Sequence, residues 1–578
     1  MYNNPVLSKL PAHLTDLIIE KPYNSYTWQD HAIWRYVMRQ NVDFLKERAH
    51  PAYLNGLERT GISIDRIPDM QTMNDILQKI GWGAVTVDGF IPPAAFMEFQ
   101  AHQVLVIAAD IRPIDQVEYT PAPDIIHEAA GHAPIIADEA YAAYLKYFGE
   151  VGSRAFSSAA DYALYEAIRY LSILKADPYS SPEEVKLATE LLEAKEQSLG
   201  IPSEMAYIRN LHWWTVEYGL IGQTEKPLIY GAGLLSSIGE SAGALSDSVR
   251  KIPYTIDAVY YNFDITKPQP QLFVTPDFEN LTDVLDQFAS RMALRKGGVE
   301  GILKAMESGS VATCVYSSGL QVSGVFSDYI LHQNQPAFLR TSGPTTLCYQ
   351  NQCLIGHGTE THSHGFGSPI GAIKGTLKPP RFLDDNDLAA VGIRFNEPCS
   401  FEFESGIQVI GKLQSLVRKD GKLLLMSFTG CEVRYEDRLL FDPSWGVYDM
   451  AVGESVVSAY TGPADPNAYG LSYPQPKEKT HKIGYDRQQI ELHKQFGVVR
   501  EWREQPSLFG HESGLTENYL KTWPNEWLLL IELLELAVKN NWDDRHISML
   551  HRHLIQLAIE KPQYGNLIQR GLRLLGIS

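Results

Sequence analysis

The sequence predicts a mainly α region over residues 1–300, then a β-rich barrel or sandwich over 301–460. A linker follows over 461–484, and a helical C-terminal segment over 485–578. Three observations carry this reading. Apolar residues recur at helical spacing through most of the first 300 positions. From about residue 308 they alternate at strand spacing. Beyond the Pro-, Gly- and polar-rich stretch "TGPADPNAYGLSYPQPKEKTHK", helical spacing returns.

The elements follow in order. "DMQTMNDILQKI" (69–80) is amphipathic, with Asp69 placed to cap it. "PPAAFMEFQAHQVLVIAADI" (92–111) opens on prolines, tolerated in a first helical turn, and runs strongly apolar, which predicts one buried helix. "AADYALYEAIRYLSILKA" (159–176) and "SPEEVKLATELLEAKEQSLG" (181–200) read as helices. The second has a serine cap, an acidic first turn and a terminal glycine. "SEMAYIRNLHWWTVEYGL" (203–220) reads as another, rich in aromatics. In the β-rich region, Asp420-Gly421 sits between two apolar runs and predicts a hairpin turn. "PNEWLLLIELLELAVKNN" and "DDRHISMLHRHLIQLAIEK" predict paired helices whose apolar positions need a partner surface.

Composition narrows the function classes. A formal net charge of −19 argues against nucleic acid or an anionic membrane as partner, since both demand a basic footprint. No basic stretch followed by an apolar run opens the chain, and no run of about 18 apolar residues occurs. Cys314, Cys348, Cys353, Cys399 and Cys431 are odd in number and match no zinc spacing. They are expected to be free thiols in a reducing cytoplasm.

The chemistry is concentrated in "HEAAGH" (127–132). In a zinc protease, histidines at i and i+4 share a helix face. Here His127 and His132 are five apart, about 140° around an ideal helix, so they converge only if the helix ends or bends, which Gly131 would permit. A zinc hydrolase with Glu128 as base is the rival reading from another class. The better third ligand is Glu217, a lone carboxylate among Trp213, Trp214, Val216 and Tyr218. An unpaired buried charge is costly, so it needs a partner, unless it simply points to solvent. Two histidines and one carboxylate with open positions suit a non-haem Fe(II) centre. The histidine-containing loop "GHGTETHSHGFG" (356–367) is glycine-rich and lacks an evident scaffold, and is read as a polar loop.

Three blocks carry a resemblance: "YTPAPDIIHEAAGHAPIIAD" (119–138), "WWTVEYGL" (213–220) and "YGAGLLSSIGE" (230–240). In content, order and spacing they resemble the pterin-dependent aromatic amino acid hydroxylases, closest to the bacterial branch acting on phenylalanine, in a long form with added C-terminal regions. The likeness spans roughly residues 25–275. It implies the catalytic fold of that family over 1–300 and a monooxygenase that uses O₂ and Fe(II) with tetrahydrobiopterin or a related tetrahydropterin. Phenylalanine, converted to tyrosine, is the favoured substrate; tyrosine and tryptophan hydroxylation are the alternatives.

By the same resemblance His127, His132 and Glu217 hold the iron. Arg112 binds the substrate carboxylate, a planar anion suited to a guanidinium, and Asp124 orients it. Thr120 and Pro121 shape the amino-acid end of the pocket. Trp213 stacks on the substrate ring, Gly233 and Ser236 line its pocket, and Ser236 also steadies a ligand histidine. Gly89, Phe90, Ile91, Phe96 and Glu128 form the pterin side. Ala122, His212 and Arg209 depart from the family pattern. No residue beyond the metal ligands is assigned a catalytic role. The regulatory domain that precedes the catalytic domain in the animal enzymes is not expected. The expected partners are the small molecules alone, without nucleic acid or membrane; a homo-oligomer through the C-terminal half is compatible.

Overall fold

The computed structural model describes residues 2–89, 91–118, 124–177, 180–264, 268–473, 484–506 and 514–577. At the centre of the first region lies the helix Trp28–Leu45. Thr27 and Asp30 cap it reciprocally, each side chain bonding the other's backbone N–H. Its Trp34, Tyr36 and Met38 are buried in the largest core.

Two stretches depart from the helical expectation. Over 92–111 the helix stops at Ala101, Gln103 turns the chain at positive φ, and Val104–Ala108 is a strand. That strand, β2, runs parallel to β1 (Gly83–Val87), and every residue of both is buried. An apolar run buried on both faces carries no alternation, so its periodicity could not separate strand from helix. Over 203–220 the α-helix Glu204–His212 passes into a π-helical stretch, Trp213–Glu217, and then into β3 (Leu220–Gln223). With β4 (Lys226–Ile229), β5 (Arg250–Pro253) and β6 (Gln271–Thr275), β3 forms a sheet in the order β4-β3-β6-β5. The first region is therefore helical with two small sheets.

The other predicted helices form at Met70–Leu77, Ala159–Ala176 and Pro182–Gln197, with Asp69, Ser158 and Ser181 as caps. The last two pack on each other around Leu164, Leu171 and Leu192, a small cluster separate from the main core.

The β-rich region holds two sheets. One contains β7 (Ala312–Tyr316), β8 (Leu320–His332), β9 (Gln335–Tyr349), β10 (Gln352–Cys353) and β11 (Gly367–Pro369). The other contains β12 (Pro398–Glu402), β13 (Ile407–Lys419), β14 (Lys422–Tyr435), β15 (Arg438–Phe441) and β16 (Tyr448–Ala451). The last strand, β17 (Val456–Thr461), returns to the first sheet beside β7. Asp420 and Gly421, both at positive φ, make the β13–β14 hairpin turn that their sequence predicts. The helix Gly298–Glu307 buries Ile302 and Ala305 in the core of this region.

In the predicted linker, Pro466–Tyr469 forms a helical turn; residues 474–483 lie outside the described set. The C-terminal helices do not stand apart. Residues from Leu492 to Leu572 share one core with Trp34, Met38 and Trp82, so the apolar tail finds its partner surface in the first region. Among the described residues no helix is long and apolar enough to cross a membrane, and the five cysteines are free thiols.

Candidate metal centre and cofactor cavity

His127 and His132 sit on one π-helical segment, Ile126–His132. A π-helix bonds i to i+5, so its wider turn places residues five apart over one another. The expectation that Gly131 lets the helix end or bend is therefore corrected: the helix continues and widens. Gly131 serves close approach instead. A Cβ there would lie 2.6 Å from the Ala232 carbonyl oxygen on the short helix Ala232–Leu235. Gly231 plays the reciprocal part, since a Cβ there would lie 2.5 Å from the Glu217 carbonyl oxygen. Both π segments thus press against one short stretch, 231–236.

The approach brings three side chains together. Glu217 Oε2 lies 3.2 Å from His127 Nε2, and Glu217 Oε1 lies 3.4 Å from His132 Nε2. Glu128 also faces the pair, 3.7 Å from His132 Nε2. This is closer to the cluster than α-helical spacing predicts, because the π turn winds more slowly. The two carboxylates differ in electrostatics. Burial alone would raise the Glu217 carboxyl, but His132 and His127 outweigh it and hold it well below the usual range. At Glu128 burial prevails over the histidines and pushes the carboxyl up. Glu217 is thus the fixed anion. Burial also opposes a charge on His127, yet Glu217 beside it overrides that and lifts the imidazole to about 9.

Ser236 Oγ lies 3.1 Å from His127 Nδ1 and donates to the Ala232 carbonyl at 2.8 Å. It therefore accepts from Nδ1–H, so the charged ring turns Nε2–H towards Glu217, and it is loss of the Nε2 proton that would free this nitrogen for a metal ion. Behind the cluster, His212 Nδ1 stands 3.7 Å from Glu217 Oε1. Burial drives His212 down to about 4, so it is neutral.

Arg112 and Asp124 form a buried fork. Arg112 Nε donates to Asp124 Oδ2 and Nη2 to Oδ1, both at 2.8 Å. Asp124 also accepts from the backbone N–H of His127 at 3.0 Å, so one carboxylate sets both the arginine and the start of the ligand segment. Burial works to raise the Asp124 carboxyl, and the Arg112 guanidinium holds it below its ordinary value. The fork occupies one edge of the guanidinium and leaves Nη1 free of the carboxylate.

A cavity of about 320 Å³ joins these groups. Arg112, His127 and Glu217 line it, with Trp213, Gly233 and Ser236 alongside. Gly89, Ile91, Phe96 and Glu128 line the same space. Asp124 and His132 stand behind its wall. Phe90, Thr120, Pro121 and Ala122 lie outside the described residues. Trp213 lines the cavity, and its indole stacks on Phe263 at 4.2 Å and, tilted by 26°, on Tyr218 at 4.6 Å. Tyr218 in turn donates to Glu240 at 2.8 Å. Tyr218, Glu240 and Phe263 all line the cavity and were missed. The first two stand inside the quoted blocks, Tyr218 directly after Glu217. Phe263 carries no local signal.

Two histidines and one carboxylate beside a cavity have the make-up of a non-haem metal site. Comparison narrows the class. A sequence model of the biopterin-dependent aromatic amino acid hydroxylases matches residues 19–167 and 185–297, rather less than half of the chain. The unmatched residues 168–184 fall across the junction of the helix pair 159–176 and 182–197. The chain is 27% identical over 280 residues to the phenylalanine-4-hydroxylase of Chromobacterium violaceum, covering 46% of this chain and 80% of that one. It is 26% identical over 287 residues to that of Mesorhizobium japonicum, covering 49% and 88%. For that of Ralstonia nicotianae the figures are 29% over 271 residues, 46% and 72%.

Proposed function

We propose that the chain hydroxylates phenylalanine to tyrosine with O₂ and a tetrahydropterin, at an iron held by His127, His132 and Glu217. The convergence of these three side chains on one cavity with the Arg112–Asp124 fork carries the reading. The donor set fits the ion. His132 Nε2 is buried without a hydrogen-bond partner, the condition of a ligand atom awaiting its metal. Two neutral imidazoles and one carboxylate suit Fe(II) and leave open positions. The apolar wall with the Phe96 ring fits a flat pterin.

Iron and pterin, when bound, supply the activation of O₂. The chain's own residues supply position and protection. The edge of Arg112 turned away from Asp124, where Nη1 makes only a long 3.5 Å bond to the Val117 carbonyl, holds the amino-acid carboxylate, and Asp124 keeps the guanidinium from rotating. Ser236 fixes the His127 tautomer. The stacked Trp213, Tyr218 and Phe263 make a rigid apolar wall that guides the substrate ring and excludes water. Glu128 and Phe96 border the pterin side. Free thiols and the absence of a spanning helix among the described residues agree with a cytoplasmic setting.

The test is anaerobic iron reconstitution followed by O₂ and tetrahydropterin, with phenylalanine, tyrosine and tryptophan offered separately. Tyrosine formation from phenylalanine is expected. Pterin oxidation without product from any of the three would leave the cofactor chemistry standing and refute the substrate. Full iron occupancy with intact hydroxylation in His127→Ala would refute the ligand assignment.

A further inference from the structure

A second convergence of metal-binding side chains lies in the β-rich region, remote in sequence from the hydroxylase residues. His357 and His362 belong to the loop 354–366 between β10 and β11. That loop reads as an unscaffolded polar stretch in the sequence, but its backbone is pinned to β9. Leu347 N–H donates to the His357 carbonyl at 3.0 Å, and Thr345 N–H to the His362 carbonyl at 3.1 Å. The third side chain, Asp449, comes from β16 in the other sheet, where it pairs in register with Ser427.

The three donor atoms lie together, within 4.8 Å of one another. His357 Nδ1 and His362 Nε2 are 3.3 Å apart, and Asp449 Oδ2 lies 3.7 and 3.8 Å from them. An imidazole–carboxylate hydrogen bond needs about 2.7–3.2 Å, so the carboxylate bonds to neither ring. The separations are instead close to the edges of a coordination polyhedron. Metal–nitrogen bonds of about 2.0–2.1 Å in a tetrahedral site set neighbouring donors about 3.3–3.4 Å apart. The triangle here is slightly open on its carboxylate side.

The surroundings favour an ion over a solvated polar cluster. The side chains of His357, His362 and Asp449 are 13%, 8% and 9% exposed. No lysine or arginine among the described residues pairs with Asp449, so the only basic groups near it are the imidazoles. Ser427 Oγ donates to the other oxygen, Asp449 Oδ1, at 2.6 Å and turns Oδ2 towards the histidines, as a hydrogen bond behind a metal ligand does.

We propose that His357, His362 and Asp449 form a second metal site, for a divalent first-row transition ion of the zinc type, that ties the loop 354–366 to the opposite sheet. Three protein ligands leave one position for water or a small ligand. Ser427 is a positioning residue.

The test uses the full chain carrying His132→Ala, which cripples the hydroxylase cluster. The protein is stripped with chelator and titrated with Co(II) as a spectroscopic stand-in for zinc. One equivalent with the intense visible d–d bands of a low-coordinate site is expected. Adding His362→Ala or Asp449→Asn should abolish it, with far-UV circular dichroism as the fold control. Adding Ser427→Ala should weaken it by about 10–100-fold. Absence of bound Co(II) in the His132→Ala protein overturns the proposal, whether or not the further variants fold. So does an equivalent that persists in both His362→Ala and Asp449→Asn.

Discussion

Arg35 and Glu532, 497 positions apart in sequence, meet at 2.8 Å in the interior of the first region. Arg503 donates to the same carboxylate at 2.7 Å, and Arg35, Arg39 and Arg503 all reach Glu535. The two glutamates that interrupt the apolar run "WLLLIELLELAV" are therefore buried charges answered by arginines. Removing one partner of such a network strands the others in low dielectric. Arg35→Ala should cost about 3–5 kcal/mol. Equilibrium denaturation of the full chain checks this, and a loss under about 1 kcal/mol would place the network in solvent.

Ser236→Ala should leave the fold intact and free the His127 ring. Iron affinity should fall by about 10–100-fold, the usual effect of losing a group that orients a ligand. Competition with a chelator of known affinity reads the change, and unaltered affinity would remove Ser236 from the site.

Gly131→Ala should set a methyl 2.6 Å from the Ala232 carbonyl oxygen, a packed backbone atom. Overpacking of this kind costs about 1–3 kcal/mol. The strain falls between the ligand segment and the stretch that positions Ser236 and Glu217. Iron affinity should drop along with the melting temperature. A stable variant with full iron occupancy would show that the approach is not tight.

Arg112→Lys should raise KM for the amino acid far more than it lowers kcat. An ammonium cannot make the two-bond fork to Asp124 and still present a second edge. Steady-state kinetics separates the two constants; an unchanged KM would move the substrate carboxylate elsewhere.

In the metal-free protein the His127 imidazole is raised from 6.5 to about 9. The folded state then keeps a proton that the unfolded chain has already released. This contribution to stability is full below pH 6.5 and is lost as pH rises through about 9. Thermal melts of chelator-treated protein should decline across that window, and His127→Gln should flatten the slope. An equal slope in the variant would assign it to another group.

Much of the site was legible because its residues stand in short blocks with fixed spacing: Asp124, His127 and His132 in one, Trp213 and Glu217 in the next, Gly233 and Ser236 in the third. The cap residues Asp69 and Ser181 were readable for a similar reason, since capping is a local bond. Long-range relations were not. Strand β2 hides in an apolar run because both its faces are buried. Phe263 reaches Trp213 from a segment without pattern. The docking of the tail on Trp28–Leu45 depends on ion pairs between Arg35 and residues some 500 positions away. Asp449 lies far from the histidines it faces.

The π-helical turn at Ile126–His132 has a further consequence for how this chain tolerates change. Its extra residue is a unit of one codon. Deleting Ala129 or Ala130 would close the widened turn into an ordinary α-turn. The two histidines would then stand four apart and still share a face. The phase of the helix beyond, including the Pro134 backbone that packs against Gly56, would be kept. The extra residue thus sets where Glu128 stands rather than whether the histidines meet.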